Sequence, residues 1–253
     1  MKKIMRPAKQ VYSDYTKQDF KVWNTLFERQ MKQLRPVVSE SYLIALEEVN
    51  FLATTIPDFN EVNETLKPLT GWSLHVVPTI SPQKVFFEFL SQKKFTATCW
   101  LRTMEQLDYI EEPDMFHDVF AHVPLLSNRS YCYFFKGISD IAMEYIENPL
   151  AIELLGRIYW FTIEFGLKKE SDQTKIYGAG IISSLGETNH CLSQKTEKVN
   201  FDVHTILNTE FRTDIMQEKY FVIESFEQLF NSLPEIKAKL SEELDARKQN
   251  TRK

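Results

Sequence analysis

The stretch EEPDMFHDVFAHVPLL, residues 111–126, places two of the chain's five histidines in a mostly apolar run. Asp114 follows a proline and has the character of a helix N-cap, so we predict a short helix directly after it. At about 100° per residue, His117 and His122 would lie about 140° apart around a straight α-helix. Since Pro124 disfavours helical geometry at the residue before it, we expect the helix to end near His122 and free that ring to approach His117.

This histidine pair is a candidate metal site, because neutral imidazole is the commonest metal ligand in proteins. A pair of core histidines satisfied by hydrogen bonds alone is the alternative. The spacing differs from the H-E-x-x-H of zinc proteases, and no glutamate follows His117. A metal-dependent hydrolase therefore lacks a placed general base.

A third candidate ligand is Glu164 in IYWFTIEFGL, residues 158–167. Burying a lone carboxylate in an apolar helix is costly unless it is paired or bound to a metal, and a salt bridge would serve equally well. Trp160 lies four residues earlier, so we expect its ring to share the helix face of Glu164. Two imidazoles and one carboxylate form the facial triad that holds non-haem Fe(II).

Length and composition indicate one large soluble domain of 253 residues with 43% hydrophobic and 26% charged residues. The net charge is −5 and no basic stripe is visible, so no nucleic-acid partner is expected. No apolar run approaches the roughly 20 residues that span a bilayer, and the N-terminus lacks the apolar region of a signal peptide, so no membrane partner is expected. Three scattered cysteines favour a reducing compartment, and we expect a cytoplasmic protein.

Hydrophobic periodicity predicts a mainly α (α+β) fold, a single helical domain with a few short strands. A first helix begins at Thr16, which has capping-box spacing to Asp19, and stops at Pro36; a second helix begins at Ser39. The remaining predictions are a strand and loop at 69–82, an undecided helix or strand at 83–101, helices at 114–122, 130–147 and 149–167, a strand with a glycine turn at 174–184, and a strand leading into a helix at 221–230. We divide the chain into an irregular arm (1–15), a domain (16–233) and a charged tail (234–253) with a weak stripe of Ile236, Leu240 and Leu244.

Three motifs, PDMFHDVFAHVPLL, YWFTIEFGLKK and YGAGIISSLGE, occur in this order. They closely resemble the pterin-dependent aromatic amino acid hydroxylases, the family of the phenylalanine, tyrosine and tryptophan hydroxylases. The resemblance extends from about Thr16 to FVIESFEQLF and is to the short bacterial form. It implies that residues 16–233 are a catalytic hydroxylase domain around an iron-containing cleft. It further implies Fe(II), O₂ and a tetrahydropterin such as tetrahydrobiopterin as cofactors, an aromatic amino acid as substrate, and a monomer.

The resemblance also implies roles for individual residues. The iron ligands are His117, His122 and Glu164. The pterin-binding residues are Phe86, Val77, Ile80 and Glu187, with Phe87 and Phe89 as alternatives to Phe86 if the register differs and a helix cap as the alternative for Glu187. The substrate-binding residues are Arg102 for the carboxylate, Trp160 and Phe165 for the ring, and Ser183, Gly180 and Ile110 around the amino acid end. Phe116 and Phe120 either extend the ring pocket or belong to the core.

Departures from the family pattern bear on the substrate. Ala121 stands where the family usually has glycine, Thr96 replaces a common histidine, and Ile110 replaces a hydroxyl-bearing residue. Tryptophan hydroxylases commonly have Phe where Trp160 stands, which favours L-phenylalanine to L-tyrosine. Tryptophan 5-hydroxylation stays open because Ile110 makes the pocket unusual. A relative that binds metal and pterin without catalysis is the remaining alternative.

Overall fold

The computed structural model describes residues 6–250, with side chains described for residues 6–247. In chain order the elements are α1 (Lys17–Leu34), α2 (Glu40–Glu48), α3 (Phe59–Thr70), β1 (Ser73–Val76), α4 (Gln83–Ser91), β2 (Lys94–Ala97), α5 (Arg129–Glu144), α6 (Pro149–Tyr159), β3 (Leu167–Glu170), β4 (Gln173–Ile176), α7 (Ala179–Ile182), α8 (Leu185–Cys191), β5 (Glu197–Asn200), α9 (Val203–Leu207), β6 (Lys219–Ile223), α10 (Phe226–Asn231) and α11 (Leu233–Asn250). Short 3₁₀ turns lie at Tyr12–Asp14, Met104–Gln106 and Pro124–Ser127, and π-helical turns at Phe116–His122 and Trp160–Glu164. The predicted fold class is confirmed.

The first two helices begin where the sequence predicts them. The Thr16 hydroxyl accepts a hydrogen bond from the Asp19 amide, and the Asp19 carboxylate accepts one from the Thr16 amide, so the capping box is present. The Ser39 hydroxyl caps α2 by accepting from the Tyr42 amide at 3.2 Å. These bonds satisfy amide groups that the first turn of a helix leaves without partners.

Three predicted segments need correction or completion. Residues 83–101 contain both a helix and a strand, because α4 ends at Ser91 and β2 follows a left-handed Lys93 with φ of 56°. The helix predicted over 130–147 ends at Glu144. The helix predicted over 149–167 is α-helical only to Tyr159; a π-helical turn follows, and the chain then enters β3.

The strands form two small sheets. β1 and β2 pair in parallel, with Ser73 opposite Lys94. The second sheet has the order β4-β3-β6-β5, in which β3 and β4 are antiparallel and β6 is parallel to both β3 and β5. The predicted strands at 69–82, 174–184 and 221–230 are therefore all present.

Aromatic rings of α1 and of the Phe116–His122 turn pack in the core. The Trp23 ring lies 5.6 Å from Phe116, and Phe116 stacks on Phe120 at 4.5 Å between centroids. The Phe27 ring reaches Phe120 at 5.2 Å. Phe116 and Phe120 therefore belong to the core, and they fix the histidine-bearing turn against α1.

Both chain ends of the described range pack on the domain. The Tyr15 hydroxyl donates to the Cys99 carbonyl at 2.7 Å. Ile236, Leu240 and Leu244 of α11 are buried, so the weak apolar stripe of the tail faces the core. Residues 1–5 of the predicted arm and 251–253 of the predicted tail lie outside the described residues, and the division at 16 and 233 stays a prediction. Within residues 6–250, every helix is too short or too polar to cross a membrane.

Candidate active site

His117 and His122 lie on one face of the π-helical turn Phe116–His122. Hydrogen bonds in a π-helix link residues five apart, so positions 117 and 122 come round to the same side. Their ring centroids are 5.1 Å apart. The Asp114 carboxylate accepts from the His117 amide at 3.3 Å, which is the capping role predicted for it.

The predicted cause of this approach is wrong. Val123 keeps helical geometry, with φ of −63° and ψ of −38°, and its amide bonds to the Val119 carbonyl at 3.2 Å. Pro124 begins a 3₁₀ turn and does not force the preceding residue into an extended conformation. The wider π-helical turn, and not a helix end, brings the two rings together.

Glu164 ends the second π-helical turn, in which the Phe165 amide bonds to the Trp160 carbonyl at 2.9 Å. The same five-residue relation places Tyr159 beside Glu164, and the Tyr159 hydroxyl donates to Glu164 Oε1 at 2.9 Å. The expectation that Trp160 shares a helix face with Glu164 stays a prediction; the Trp160 ring contacts Phe165, Phe211 and Gln217. Tyr159 is a site residue that the sequence reasoning missed, although its spacing to Glu164 repeats that of the two histidines.

The two π-helical turns bring three potential metal ligands together. His122 Nε2 lies 3.1 Å from Glu164 Oε1, and His117 Nε2 lies 3.8 Å from Glu164 Oε2. The ligand atoms of all three side chains lie within 4.8 Å of one another. His122 is 2% exposed and Glu164 is 8% exposed, while His117 is less deeply buried. The group is thus enclosed, with its opening on the His117 side.

Burial and neighbouring charges set the protonation of this group. Burial lowers the pKa of His117 to about 4, partly opposed by the Glu164 carboxylate. Burial alone would raise the pKa of Glu164, but the charge and hydrogen bond of His122, together with His117 and Tyr159, outweigh it and lower that pKa to about 2. At neutral pH, His117 is a neutral imidazole and Glu164 a carboxylate, which are the forms that bind metals.

Ser183 fixes the tautomer of His117. The Ser183 hydroxyl donates its single proton to the Ala179 carbonyl at 3.0 Å, so its oxygen accepts from His117 Nδ1–H at 2.8 Å. The lone pair of His117 is then on Nε2, the atom that faces Glu164. The His122 ring is held by packing, with the Phe95 ring at 4.9 Å. Ser183, predicted at the substrate's amino acid end, therefore touches a candidate ligand directly.

Arg102 is buried against Asp114. Its Nε and Nη2 donate to the two Asp114 oxygens at 2.9 and 2.7 Å, and its backbone amide donates to Oδ2 at 2.9 Å. Such a two-point pair fixes the guanidinium plane. Because Asp114 also accepts from the His117 amide, the cationic group is fixed relative to the histidine. The sequence identified Asp114 as a cap and did not foresee this ion pair.

Phe86 is the phenylalanine of α4 that faces the cluster. Its ring meets the Tyr159 ring edge-on at 5.3 Å. Phe87 is buried in the core, and Phe89 stacks on the exposed His75 at 4.2 Å. The structure thus brings Phe86, and neither of its alternatives, next to a residue that contacts Glu164.

The loop 77–80 follows β1 and carries two further predicted pterin residues. The Val77 amide donates to the Ala97 carbonyl at 3.0 Å, and the Pro78 carbonyl accepts from the Trp100 indole at 3.1 Å. Ile80, at the other end of the loop, is 63% exposed. The loop is therefore anchored at its start and open at its end.

The predicted ring-binding residues pack on one another. The Trp160 and Phe165 rings are 4.6 Å apart. A β-carbon at Gly180 would lie 2.8 Å from Phe165 Cζ, so only glycine lets α7 approach this ring. Ile110 lies half-buried in the segment before Asp114.

Glu187 is engaged within the protein through both carboxylate oxygens. Oε1 accepts from the Gln217 amide at 3.2 Å, and Oε2 accepts from the Tyr220 hydroxyl at 2.5 Å. The Ser184 hydroxyl caps α8 by accepting from the Glu187 amide, but the Glu187 carboxylate takes no part in this cap. Gln217 and the Phe211 ring, which stacks on Trp160 at 4.4 Å, were missed because their partners are more than 25 residues away in sequence.

Comparisons with known proteins match this architecture. The family model described as biopterin-dependent aromatic amino acid hydroxylase matches residues 5–251. Phenylalanine-4-hydroxylase of Chromobacterium violaceum is 42% identical over 219 residues, which cover 86% of this chain and 73% of the relative. Phenylalanine-4-hydroxylase of Ralstonia nicotianae is 41% identical over 219 residues, covering 86% and 70%.

Solved structures agree with the sequence matches. The C. violaceum phenylalanine hydroxylase with bound oxidised Fe(III) is 40% identical and superposes with a TM-score of 0.89, covering 95% of this chain and 87% of that one. The structure of the same enzyme with iron(III) and 7,8-dihydrobiopterin gives a TM-score of 0.88 at 40% identity, covering 96% and 87%. The chain described here belongs to the biopterin-dependent aromatic amino acid hydroxylases.

Proposed function

We propose that this protein is a non-haem Fe(II), tetrahydropterin-dependent monooxygenase that converts L-phenylalanine to L-tyrosine. The observation that carries the proposal is the cluster of His117, His122 and Glu164 in a member of this family. Relatives at 35–42% identity bear the name phenylalanine-4-hydroxylase. This naming favours neither tryptophan 5-hydroxylation nor a relative without catalysis.

The donor set of the cluster fits iron. Two imidazole nitrogens and one carboxylate are the ligands of the facial triad, which suits Fe(II) and leaves coordination positions open. The Ser183 oxygen on His117 Nδ1 and the Tyr159 hydroxyl on Glu164 supply the outer contacts that orient ligands in metal sites. When bound, Fe(II) and the tetrahydropterin together supply the activation of O₂ that ring hydroxylation requires.

For the pterin, we assign the Phe86 ring as the stacking surface and the loop 77–80, with Val77 and Ile80, as the adjoining wall. Support comes from the contact of Phe86 with Tyr159, which connects this ring to Glu164. The role of Glu187 becomes indirect, because its oxygens already bond to Tyr220 and the Gln217 amide.

For the substrate, we assign Arg102 to the carboxylate of the amino acid. The bonds to Asp114 use Nε and Nη2, so Nη1 is the donor that we assign to the ligand. Trp160 and Phe165 form the wall for the aromatic ring, with Gly180 behind Phe165. Ser183 and Ile110 then flank the amino acid end, and an apolar wall excludes water from the reacting ring.

We further propose a monomer in the cytoplasm that acts on a free amino acid, without a nucleic-acid or membrane partner. Support for a reducing compartment comes from the three cysteines, which are buried as separate thiols. The net charge of −5 disfavours a polyanionic partner. Light scattering on a size-exclusion column tests the monomer, and a dimer would contradict it.

The decisive experiment compares substrates on the iron-loaded protein. Phenylalanine, tyrosine and tryptophan are each supplied with Fe(II), a tetrahydropterin and O₂, and kcat/KM is measured with iron content alongside. We expect phenylalanine to be preferred by at least about 10-fold, because a pocket shaped for one ring discriminates by roughly that factor or more. Omission of the pterin is the control and should abolish product. A preference for tryptophan would contradict the proposal.

A further inference from the structure

The segment 208–218, between α9 and β6, folds over the ring of Trp160. Its Phe211 ring stacks on Trp160 with 4.4 Å between centroids and 14° between planes. Phe211 also meets the Phe161 ring edge-on at 6.3 Å. The indole that we assign to the substrate wall is therefore covered by a segment that has no regular secondary structure.

Gln217 connects this segment to Trp160 by hydrogen bonds. Its Oε1 accepts from Trp160 Nε1 at 3.0 Å. Its Nε2 donates to the Arg212 carbonyl at 2.7 Å and to the Ile215 carbonyl at 3.2 Å. Gln217 is only 6% exposed, so these bonds are made away from water, where an unmade partner is costly. The Gln217 side chain thus stabilises the conformation of segment 208–218 and fixes the Trp160 indole.

The backbone of Gln217 is fixed as well. Its amide donates to Glu187 Oε1 at 3.2 Å, and its carbonyl lies 3.1 Å from His190 Nε2. Tyr220 in β6 donates to the other oxygen of Glu187. Gln217 is therefore held by α8, which supports its side chain in the position that reaches Trp160.

We propose that Gln217 is a positioning residue for the hydroxylation, acting through Trp160 on the aromatic ring of the substrate. This inference rests on the proposed function. The amide oxygen fixes the plane of the indole against rotation, and the two amide donors keep Phe211 stacked on its face. A small displacement of a positioning group costs up to about 100-fold in rate, so a loosened indole should hold the ring poorly.

If Gln217 has this role, its loss should impair the binding of phenylalanine and leave the binding of iron and pterin unchanged. Without the Gln217 amide, the KM for phenylalanine should rise by about 10-fold, the loss typical of one removed hydrogen bond in a buried site. Less tyrosine should form per tetrahydropterin oxidised, because the ring is no longer held in place. Iron content and the KM for the pterin should stay as in the wild type, since the hydrogen bonds of the Gln217 side chain go to Trp160, Arg212 and Ile215. The contact with Glu187 is made by the Gln217 backbone amide, which both variants below keep.

The test uses Gln217→Leu and the milder Gln217→Asn, which keeps an amide but withdraws it by one methylene. The matched control is Gln30→Leu, since Gln30 is also buried (2% exposed) and its side-chain amide donates to Thr188 Oγ1 at 2.9 Å and not to the indole of Trp160. Both Gln217 variants should raise the KM for phenylalanine and lower the coupling, defined as the tyrosine formed per tetrahydropterin oxidised. Both effects should be smaller in Gln217→Asn than in Gln217→Leu. Gln30→Leu should leave both unchanged at a comparable melting temperature.

A second readout does not depend on turnover. In ¹⁵N spectra of the metal-free protein, the Trp160 indole resonance, identified through Trp160→Phe, should shift in Gln217→Leu and keep its position in Gln30→Leu. A double variant tests the same link by kinetics. Gln217→Leu/Trp160→Phe should be less impaired than the product of the two single effects, because each single variant removes the same hydrogen bond.

Wild-type KM and coupling in both Gln217 variants would overturn the inference, as would equal uncoupling by Gln30→Leu. A wild-type enzyme that forms no tyrosine would instead contradict the proposed function, and this inference with it.

Discussion

The two π-helical turns supply the candidate ligands in different ways. Phe116–His122 contributes two imidazoles, and its contacts reach outward: Ser183 on one ring and Phe95 beside the other. Trp160–Glu164 contributes one charged group, and its contact is local, from Tyr159 five residues earlier. The two candidate imidazole ligands therefore depend on distant parts of the fold, whereas the Tyr159 hydroxyl that contacts the Glu164 carboxylate comes from the same helical segment.

The two turns share one geometric feature, the alignment of side chains five residues apart. A π-helical turn adds one residue to the helical repeat, so side chains five apart share a face. In both turns the site uses this relation, His117 with His122 and Tyr159 with Glu164. A straight α-helix would separate the members of each pair around its axis.

Removal of the charged ligand has the largest expected effect. Glu164→Gln keeps the size of the side chain and loses the charge, so we expect iron content to fall to near zero. Tyrosine formation should drop by more than about 100-fold, since even outer-sphere changes cost 10- to 100-fold. Atomic absorption and product assays measure both, and circular dichroism should show that the fold is kept. The variant His122→Ala tests the other turn and should lose iron too. Persistent turnover in either variant would falsify the ligand assignment.

Removal of the hydrogen bonds that the candidate ligands accept or donate outside the cluster has the second-largest expected effect. Tyr159→Phe and Ser183→Ala should each weaken Fe(II) affinity by about 10- to 100-fold, measured by metal titration. We expect the larger loss for Tyr159→Phe, because a hydrogen bond to an ionised acceptor is roughly twice as strong as a neutral one.

Tyr177→Phe is the matched control for the tyrosine variant. Among the described residues, the buried Tyr177 hydroxyl has no hydrogen-bond partner, so its removal breaks no bond. We expect wild-type Fe(II) affinity in this variant. A weaker affinity for Ser183→Ala than for Tyr159→Phe would reverse the comparison between the two turns.

The sequence pointed to the three side chains that cluster in the structure, but it did not predict the π-helical turns that carry them. The histidine pair and Glu164 stand out because polar groups in apolar runs need partners, whatever the exact backbone geometry. The π-helical turns do not stand out, because periodicity is interpreted against 3.6 residues per turn and a single added residue is invisible in it. The error at Val123 has this cause.

Local signals predicted local structure, and long-range contacts stayed hidden. The capping box of Thr16 and the cap of Ser39 depend on residues three apart, and both are present. Gln217 meets Trp160 across 57 residues, and Arg102 meets Asp114 through a loop without periodicity. No local pattern in the sequence predicts such pairs, so the contacts that support the site are visible only in the structure.

The smallest expected effect distinguishes two carboxylates, one in each turn: the half-buried Asp118 and the buried Glu164. Burial raises the pKa of Asp118 to about 7, although the Thr98 amide and hydroxyl donate to it, whereas Glu164 beside two histidines has a lowered pKa. Between its ordinary pKa of 3.8 and about 7, folded Asp118 keeps a proton that the unfolded chain has released, so its contribution to stability falls as the pH rises.

Asp118→Asn removes this ionisation and keeps an oxygen acceptor for Thr98. The melting temperature of the variant, relative to the wild type, should therefore rise between about pH 4 and about pH 7, where folded wild-type Asp118 keeps a proton that the unfolded chain has released. The change should be a few degrees, at about 2–4 °C for each kcal/mol in a chain of this size. Calorimetry of the metal-free protein measures it without a contribution from iron. If the difference in melting temperature stayed constant over this range, Asp118 would ionise like an exposed carboxylate, and of the two carboxylates Glu164 alone would have its protonation set by the fold.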